Sequence, residues 1–367
     1  MSITILTGGC LAPYARADDI VLGARSSASL RFETSAYRGD RPSHDIQFRL
    51  NQTATLEAGE HFAAYAALQI EPVTDIRPGE RRAFRGEGLY AEELFVQWTD
   101  DTLTLRAGKF IPTFGRAWYL TPGRFNTVFV SDYEIVEQTG IEISYAMTTE
   151  AIGRHAISLS DTMGDRTFLS QSMFTNRGQV HLSDGGPSNT RWPQSVSVAY
   201  DASRVPLFGG VLGAQIAAAS LGQGANNRGQ ERLATTGIDL AIPVSLNDSG
   251  SERMEVRGLL EVARRWDTDG FKGLNADYLT AAIALRRPTW AAGLVYTHRT
   301  RAPEASRRQQ DATFEADATR FLGNGFSATL GYVYDTVAGA QSHTMALQLG
   351  YSFTHCGECR LIKSRRF

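Results

Sequence analysis

Between residues 105 and 142 the chain crowds charge together with aromatic rings. The run LRAGKFIPTFGRAWYLTPGRF (105–125) leads into Asp132, Glu134, Glu137 and Glu142. Charged groups gathered around a water-filled passage tune which ions pass, and they do so without a nucleophile or a proton transfer. The bland alternative for such a run is a solvated loop face. Residues suited to bond chemistry are scattered by comparison. His44, His61, His155, His181, His298, His343 and His355 share no spacing. No G-x-S-x-G, P-loop, G-x-G-x-x-G, H-E-x-x-H or zinc-ribbon pattern is found. DTDG at 267–270, followed by Lys272, falls short of a calcium loop. A barrel hydrolase would need His beside Ser or Asp on one wall; His298 or His343 with a neighbouring Ser leaves that as a minor alternative. No metal and no cofactor is expected. Cys356 and Cys359 form a CGEC pair near the end. Zinc would require a second pair, and no thioredoxin-like pattern surrounds this one, so a local disulfide or idle thiols is the reading.

The elements that carry these residues are constrained by the totals. The chain has 367 residues, room for two or three ordinary domains or one large all-β domain. Net charge is −2, so no global basic field argues for nucleic acid. Mean hydropathy is −0.24. The longest weakly apolar stretch, GGVLGAQIAAASLG (209–222), is too short and too rich in glycine for a membrane helix. A transmembrane β-barrel is still allowed, because every second residue there faces a polar lumen. At the N-terminus, Ala15-Arg16-Ala17 fits an A-x-A cleavage site with Asp18 as the first mature residue. Residues 1–17 then form an export signal that lacks a basic region at its start, as a truncated signal would. Lipidation at Cys10 and an ordinary buried strand are the alternatives there.

Alternation with a period of two dominates the chain. Met345, Leu347, Leu349, Tyr351 and Phe353 share one strand face, and Ile238, Leu240 and Ile242 share another. The opposite faces carry Arg31 and Glu33, Asp45 and Arg49, Glu142, Asp239, Arg253, Glu255 and Arg257, then Glu315 and Asp317. Any antiparallel sheet with one wet face would alternate in this way. The position of the rings discriminates. Trp290, Phe326 and Phe353, with Tyr351, lie toward one end of their strands, and Tyr296 and Tyr334 toward the other, all on the apolar face. The six to eight residues between them span roughly 15–20 Å at a tilt of about 40°, close to the aromatic girdles of a membrane barrel. About sixteen strands fit the pattern, with mostly short even-numbered connections and mostly longer odd-numbered ones, and both termini on the short-turn side. The expected fold is all-β: a transmembrane antiparallel β-barrel over 18–353, with 354–367 as a basic periplasmic tail. No 20–50-residue repeat suggests a propeller or solenoid.

On this count LTLRAGKF is the fifth strand, and a long loop follows it. Here the chain resembles the Gram-negative outer-membrane porins. The stretch GKF-x-P-x-FG (Gly108, Lys109, Phe110, Pro112, Phe114, Gly115) looks like their strand-to-loop junction. The resemblance covers the whole chain in topology and about 100–145 in wording. It implies that the loop after strand five folds inward and narrows the barrel. Lys109, Pro112, Phe114, Gly115, Arg116, Trp118, Arg124, Asp132, Glu134 and Glu137 would then form the constriction. Phe114, Trp118, Tyr119 and Phe125 would pin it to the wall, and Arg31, Arg49, Arg106 and Glu142 would line the pore. Such a loop can carry polar backbone at membrane depth because it lines water. The implied function is passive diffusion of small hydrophilic solutes or ions through a homotrimer in outer-membrane lipid, filtered by size and charge. The signs of the inward charges are mixed, so no ion preference follows. An eighteen-stranded substrate-selective barrel and a loop-plugged structural barrel are the competing expectations. The C-terminus departs from the family: porins usually end on an aromatic residue, and THCGECRLIKSRRF follows Phe353 here.

Overall fold

The computed structural model describes residues 20–37, 41–122, 128–225, 229–245, 253–302 and 308–355. The export signal, Cys10, Arg124, Phe125, Cys356, Cys359 and the tail from 356 onward lie outside the described residues. Sixteen strands run in chain order: β1 (Ile20–Tyr37), β2 (Ser43–Ala58), β3 (Phe62–Pro72), β4 (Glu87–Thr99), β5 (Leu103–Phe110), β6 (Gln138–Thr149), β7 (Gly153–Gly164) and β8 (Ser195–Leu207). They continue as β9 (Gly210–Leu221), β10 (Glu231–Ser245), β11 (Arg253–Trp266), β12 (Asn275–Arg286), β13 (Trp290–Ala302), β14 (Gln309–Gly323), β15 (Phe326–Val337) and β16 (Ala340–His355). Each pairs antiparallel with its sequence neighbours. Pairing of β1 with β16, from Ala24 opposite His355 to Tyr37 opposite Ser342, closes the sheet into a barrel. That pairing carries β16 two residues past Phe353.

The alternation sorts side chains the opposite way from a soluble protein. Ile216, Ile141, Leu330 and Ile238 are 64%, 62%, 57% and 52% exposed, while Glu231, Glu261, Glu315 and Asp311 are each 1% exposed. Leaving so many branched apolar chains in water would forfeit about 1.5–3 kcal/mol apiece. Facing lipid they lose nothing, and the charges on the inner face find one another. This is the polarity of a transmembrane barrel.

The connections at the end holding residues 59–61, 100–102, 150–152, 208–209, 287–289 and 324–325 are tight. Phe208-Gly209 and Asn324-Gly325 both take positive φ, as two-residue hairpin turns of matching twist require. In the turn at 100–102, Asp100 accepts N–H bonds from Thr102 (2.7 Å) and Leu103 (2.6 Å). Those backbone bonds, Leu103 first, hold its carboxyl below the usual range. At the other end lie long loops, described over residues 73–86, over 111–122 with 128–137, and over 165–194. Two connections there are short, however: 38–42, and Ala338-Gly339 between β15 and β16. The loop after β3 folds back, and its Arg81–Ala83 pairs parallel with His44–Ile46 of β2. It covers the edge that β3 leaves open beyond Pro72. Met173–Phe174 of the loop after β7 likewise pairs with β4 at Gly88 and Leu89.

Aromatic side chains gather in rows on the outer face. The register sets Tyr296 opposite Phe314, Phe314 opposite Tyr334, and Tyr334 opposite His343. Toward the tight turns, Phe326 packs on Tyr351 at 4.6 Å and Tyr351 on Phe353 at 5.5 Å. Trp290 begins β13 at the same end.

Candidate functional site

The loop 111–137 leaves β5 and is tied down where it starts. The N–H of Ile111 donates to Glu93 at 3.2 Å, and that of Thr113 to Glu142 at 2.9 Å. Arg106 also bonds Glu142, at 3.1 Å, and lies over the rings of Phe95 and Phe110. Gly108 and Gly140 stand opposite each other in β5 and β6. A Cβ on Gly140 would collide with the Asp161 carbonyl, and one on Gly108 with backbone of Leu94 and Phe95. Gly108 also has φ +132°, which L side chains rarely adopt. Only glycine lets the backbones of β4 to β7 approach this closely beneath the loop.

From there the segment reaches inner-face side chains of strands remote in sequence. Gly115 (φ +72°) turns the chain beside Glu261 of β11. The Glu261 carboxylate accepts the N–H of Arg116 at 2.6 Å and of Ala117 at 3.2 Å, and the hydroxyl of Tyr133 at 2.8 Å. The Arg116 guanidinium bonds Asp201 of β8 at 2.6 Å and also pairs with Asp239 of β10. Asp132 accepts from Arg299 of β13 at 2.6 Å, and Arg299 bonds Asp311 of β14 at 2.7 Å. Burial, and then the Glu261 charge, push the Tyr133 hydroxyl well above its ordinary range, so it stays a donor.

Apolar packing completes this contact. Two one-turn helices, α1 (Ala117–Leu120) and α2 (Val128–Ser131), present rings and aliphatic chains to the wall. Phe114, Phe129, Tyr133 and Ile135 bury against Ala199, Ala217, Leu233, Leu259, Ala276 and Tyr278 of β8–β12, with Trp118 packed alongside. Small wall residues make the space that the loop's rings fill. Tyr133 and Tyr278 lie 5.1 Å apart, and Arg299 lies 4.2 Å over Phe129.

On the other side of the barrel the inner wall is polar. Arg31 donates to Gln348 at 3.2 Å. Arg49 pairs with Glu71 at 2.8 Å and bonds Gln47 at 3.1 Å, and Tyr90 donates to Glu71 at 2.5 Å. Gln47 continues the chain to Asp45, which pairs with Arg82 of the loop after β3. Arg82 is held more basic than usual, chiefly by its hydrogen bond to Asp45.

The residues singled out in the sequence therefore divide. Phe114, Gly115, Arg116, Trp118 and Asp132 sit in the loop and meet the remote wall or its apolar cluster, and Pro112 is fully buried. Glu134 turns its carboxylate oxygens away from solvent. Arg31, Arg49, Arg106 and Glu142 stand on the inner face. Lys109 and Glu137 join a separate cluster at the ends of the loop. Lys109 is 2% exposed. Its ammonium bonds Glu137 at 2.8 Å, Asp165 at 2.9 Å and the Leu169 carbonyl at 3.0 Å. Arg177 binds the same Glu137 at 2.6 Å. Arg177 also lies 4.2 Å over the ring of Tyr90, and this cluster fastens the loop after β7 to the barrel. Trp290, Tyr296, Phe326, Tyr334, Tyr351 and Phe353 lie on the outer face. Sequence reasoning missed Glu261, Asp201, Arg299, Asp311 and Tyr278. The parity that marked Glu255 and Arg257 as inward, carried four residues on, points to Glu261.

A closed antiparallel barrel of sixteen strands with an apolar outside and a charged inside is the fold of the outer-membrane porins. OmpF of Salmonella typhi, solved in complex with daunomycin, matches with a TM-score of 0.60 at 8% identity, over 90% of this chain and 97% of that one. The trimer form of OmpT, an outer membrane protein of Vibrio cholerae, matches at 0.52 and 8% identity, over 91% and 100%. OmpT expressed in the outer membrane of that organism gives 0.52 at 9%, over 92% and 99%. At such identities the likeness is one of fold. Neither a protein-family model nor a curated protein sequence matches the chain.

Proposed function

We propose that the protein is a porin of the bacterial outer membrane, a water-filled channel through which small hydrophilic solutes or ions diffuse passively. The observation that carries this reading is the inverted polarity of a closed barrel, with charge and hydrogen-bonding groups inside and branched apolar chains outside. No energy input and no covalent step belong to it, and the protein is not an enzyme in this reading. Residues 1–17 serve as the export signal and those after His355 as a periplasmic tail. The tight turns face the periplasm and the long loops the exterior, as in other outer-membrane barrels.

The filter is the loop 111–137. Seated against β8–β12, it confines the aqueous path to the opposite wall, where Arg31 and Arg49 stand, while Arg106 and Glu142 anchor the start of the loop. Arg116 and Asp132 are the loop's own charges beside that path, and the carboxylate of Glu134 is buried. Fixed charge of both signs around a narrow section selects by sign and orients dipolar solutes. The assembly we propose is a homotrimer, joined through the outer face of β1–β3. Small side chains cluster there, among them Ala24, Ala28, Ala54, Ala64 and Ala66.

Liposome swelling tests the channel. Vesicles carrying the refolded protein should swell in pentose or hexose solutions and progressively less in larger sugars. A specific observation favours a second reading, a loop-plugged structural barrel: the apolar cluster that fixes the loop to five strands. Vesicles with folded protein that swell in no sugar would support that reading and contradict the first.

A further inference from the structure

On the lipid-facing side of β13–β16, near the tight turns, lies a groove of about 460 Å³. Its floor is alanine: Ala292 stands opposite Ala318, and Ala328 lies on the next strand. Its sides are Trp290 and Leu330. Arg320 stands at its mouth, opposite both Trp290 and Ala328. We propose that this groove holds one glycerophospholipid of the periplasmic leaflet, with an acyl chain along the alanine floor and its phosphate on the Arg320 guanidinium.

Three observations carry the assignment. The first is the identity of the side chain. Arginine on the lipid face of a barrel is unfavourable in proportion to its depth. The Arg320 side chain is exposed and makes no hydrogen bond or ion pair among the described residues. Two other outward arginines near the long loops, Arg232 and Arg264, are paired with Asp267 and Asp277. Arg320 thus has its guanidinium available to an anion.

The second is depth. Phe326 and Tyr351 face each other nearer the strand ends, and Arg320 lies one two-residue repeat deeper, about 7 Å along the strand. From there a long arginine side chain extends toward the headgroup level. Tryptophan at that level, with an apolar ring and one N–H donor, marks the membrane interface. The third is shape. Alanines flanked by tryptophan and leucine recess the wall, and dispersion contacts reward a flexible hydrocarbon chain that fills a recess. The tight-turn side faces the phospholipid leaflet, which selects a glycerophospholipid over a lipopolysaccharide.

The proposal rests on the barrel being in the membrane and not on its conducting. The test is native mass spectrometry of the detergent-refolded full chain with dioleoyl-phosphatidylglycerol, and separately with dioleoylglycerol, which lacks the phosphate. Heat-modifiable mobility on gels, checked first, establishes that the barrel is folded. The wild-type protein should retain one phosphatidylglycerol and little dioleoylglycerol. Arg320→Gln should reduce retention at least about tenfold, as expected for loss of a charge-assisted hydrogen bond. Ala318→Leu, which fills the floor and keeps the arginine, should reduce it too. Equal retention by the wild type and Arg320→Gln would overturn the proposal. So would preference for added lipopolysaccharide, or dimers bridged through this face that Ala318→Leu abolishes. A chain without heat-modifiable mobility would instead refute the barrel reading.

Discussion

Glu261 is the residue on which the loop's docking turns. It is buried at 1% exposure and is met by two backbone donors and one hydroxyl. Glu261→Ala strands those donors at roughly 1–3 kcal/mol each. The ladder of β11 does not depend on the side chain, so the barrel should still form. We expect normal heat-modifiable mobility, with trypsin now cutting at Arg116. The Tyr133 hydroxyl adds a pH dependence. In the docked loop it keeps its proton above the ordinary tyrosine range, whereas in a released loop it ionises near pH 10. Docking is therefore fully maintained below about pH 10 and weakens as pH rises above that value. Open-channel current noise should grow above about pH 10 in the wild type, and a pH-independent noise level is expected for Tyr133→Phe. Arg116 is the other lever. Arg116→Gln leaves Asp201 and Asp239 without their cation. The reversal potential in a salt gradient should shift toward cations, and an unchanged potential would show that these groups lie off the ion path.

The sixteen strands are readable from alternation because a membrane barrel imposes it on every strand: one face meets lipid and the other water. Even the tight turns follow from Phe208-Gly209 and Asn324-Gly325. The long loops do not announce their folds. Arg81–Ala83 becomes a strand only because β3 stops at Pro72 and leaves part of β2 uncovered. The partners of Lys109, which are Glu137, Asp165 and the Leu169 carbonyl, lie 28 to 60 residues further along the chain, and no spacing predicts them. Nor could spacing pair Arg116 with Asp239, or Asp132 with Arg299, since those partners are far apart in sequence and meet only when the barrel closes. The glycines opposite each other in β5 and β6 belong to this scale as well. Gly140→Val has to displace the Asp161 carbonyl and the Thr162 backbone. We expect the yield of heat-modifiable barrel to fall severalfold, while Gly258→Val, at a site with nothing near its Cβ position, should fold nearly as the wild type does.

For the whole molecule, two surfaces matter: the lumen and the lipid-facing girth. Small residues on the outer side of β1–β3 leave room for a neighbouring barrel. A bulky side chain there, Ala66→Trp, should convert a trimer into monomers by light scattering in detergent without unfolding either. The central claim concerns the lumen, and single-channel conductance in a planar bilayer tests it most directly. The refolded protein should insert with discrete conductance steps that close in threes, and Glu261→Ala should give larger or noisier steps because its loop is freed. A folded, heat-modifiable barrel that inserts and carries no current, and begins to conduct only in Glu261→Ala, would contradict the open-channel account and identify the loop as a plug.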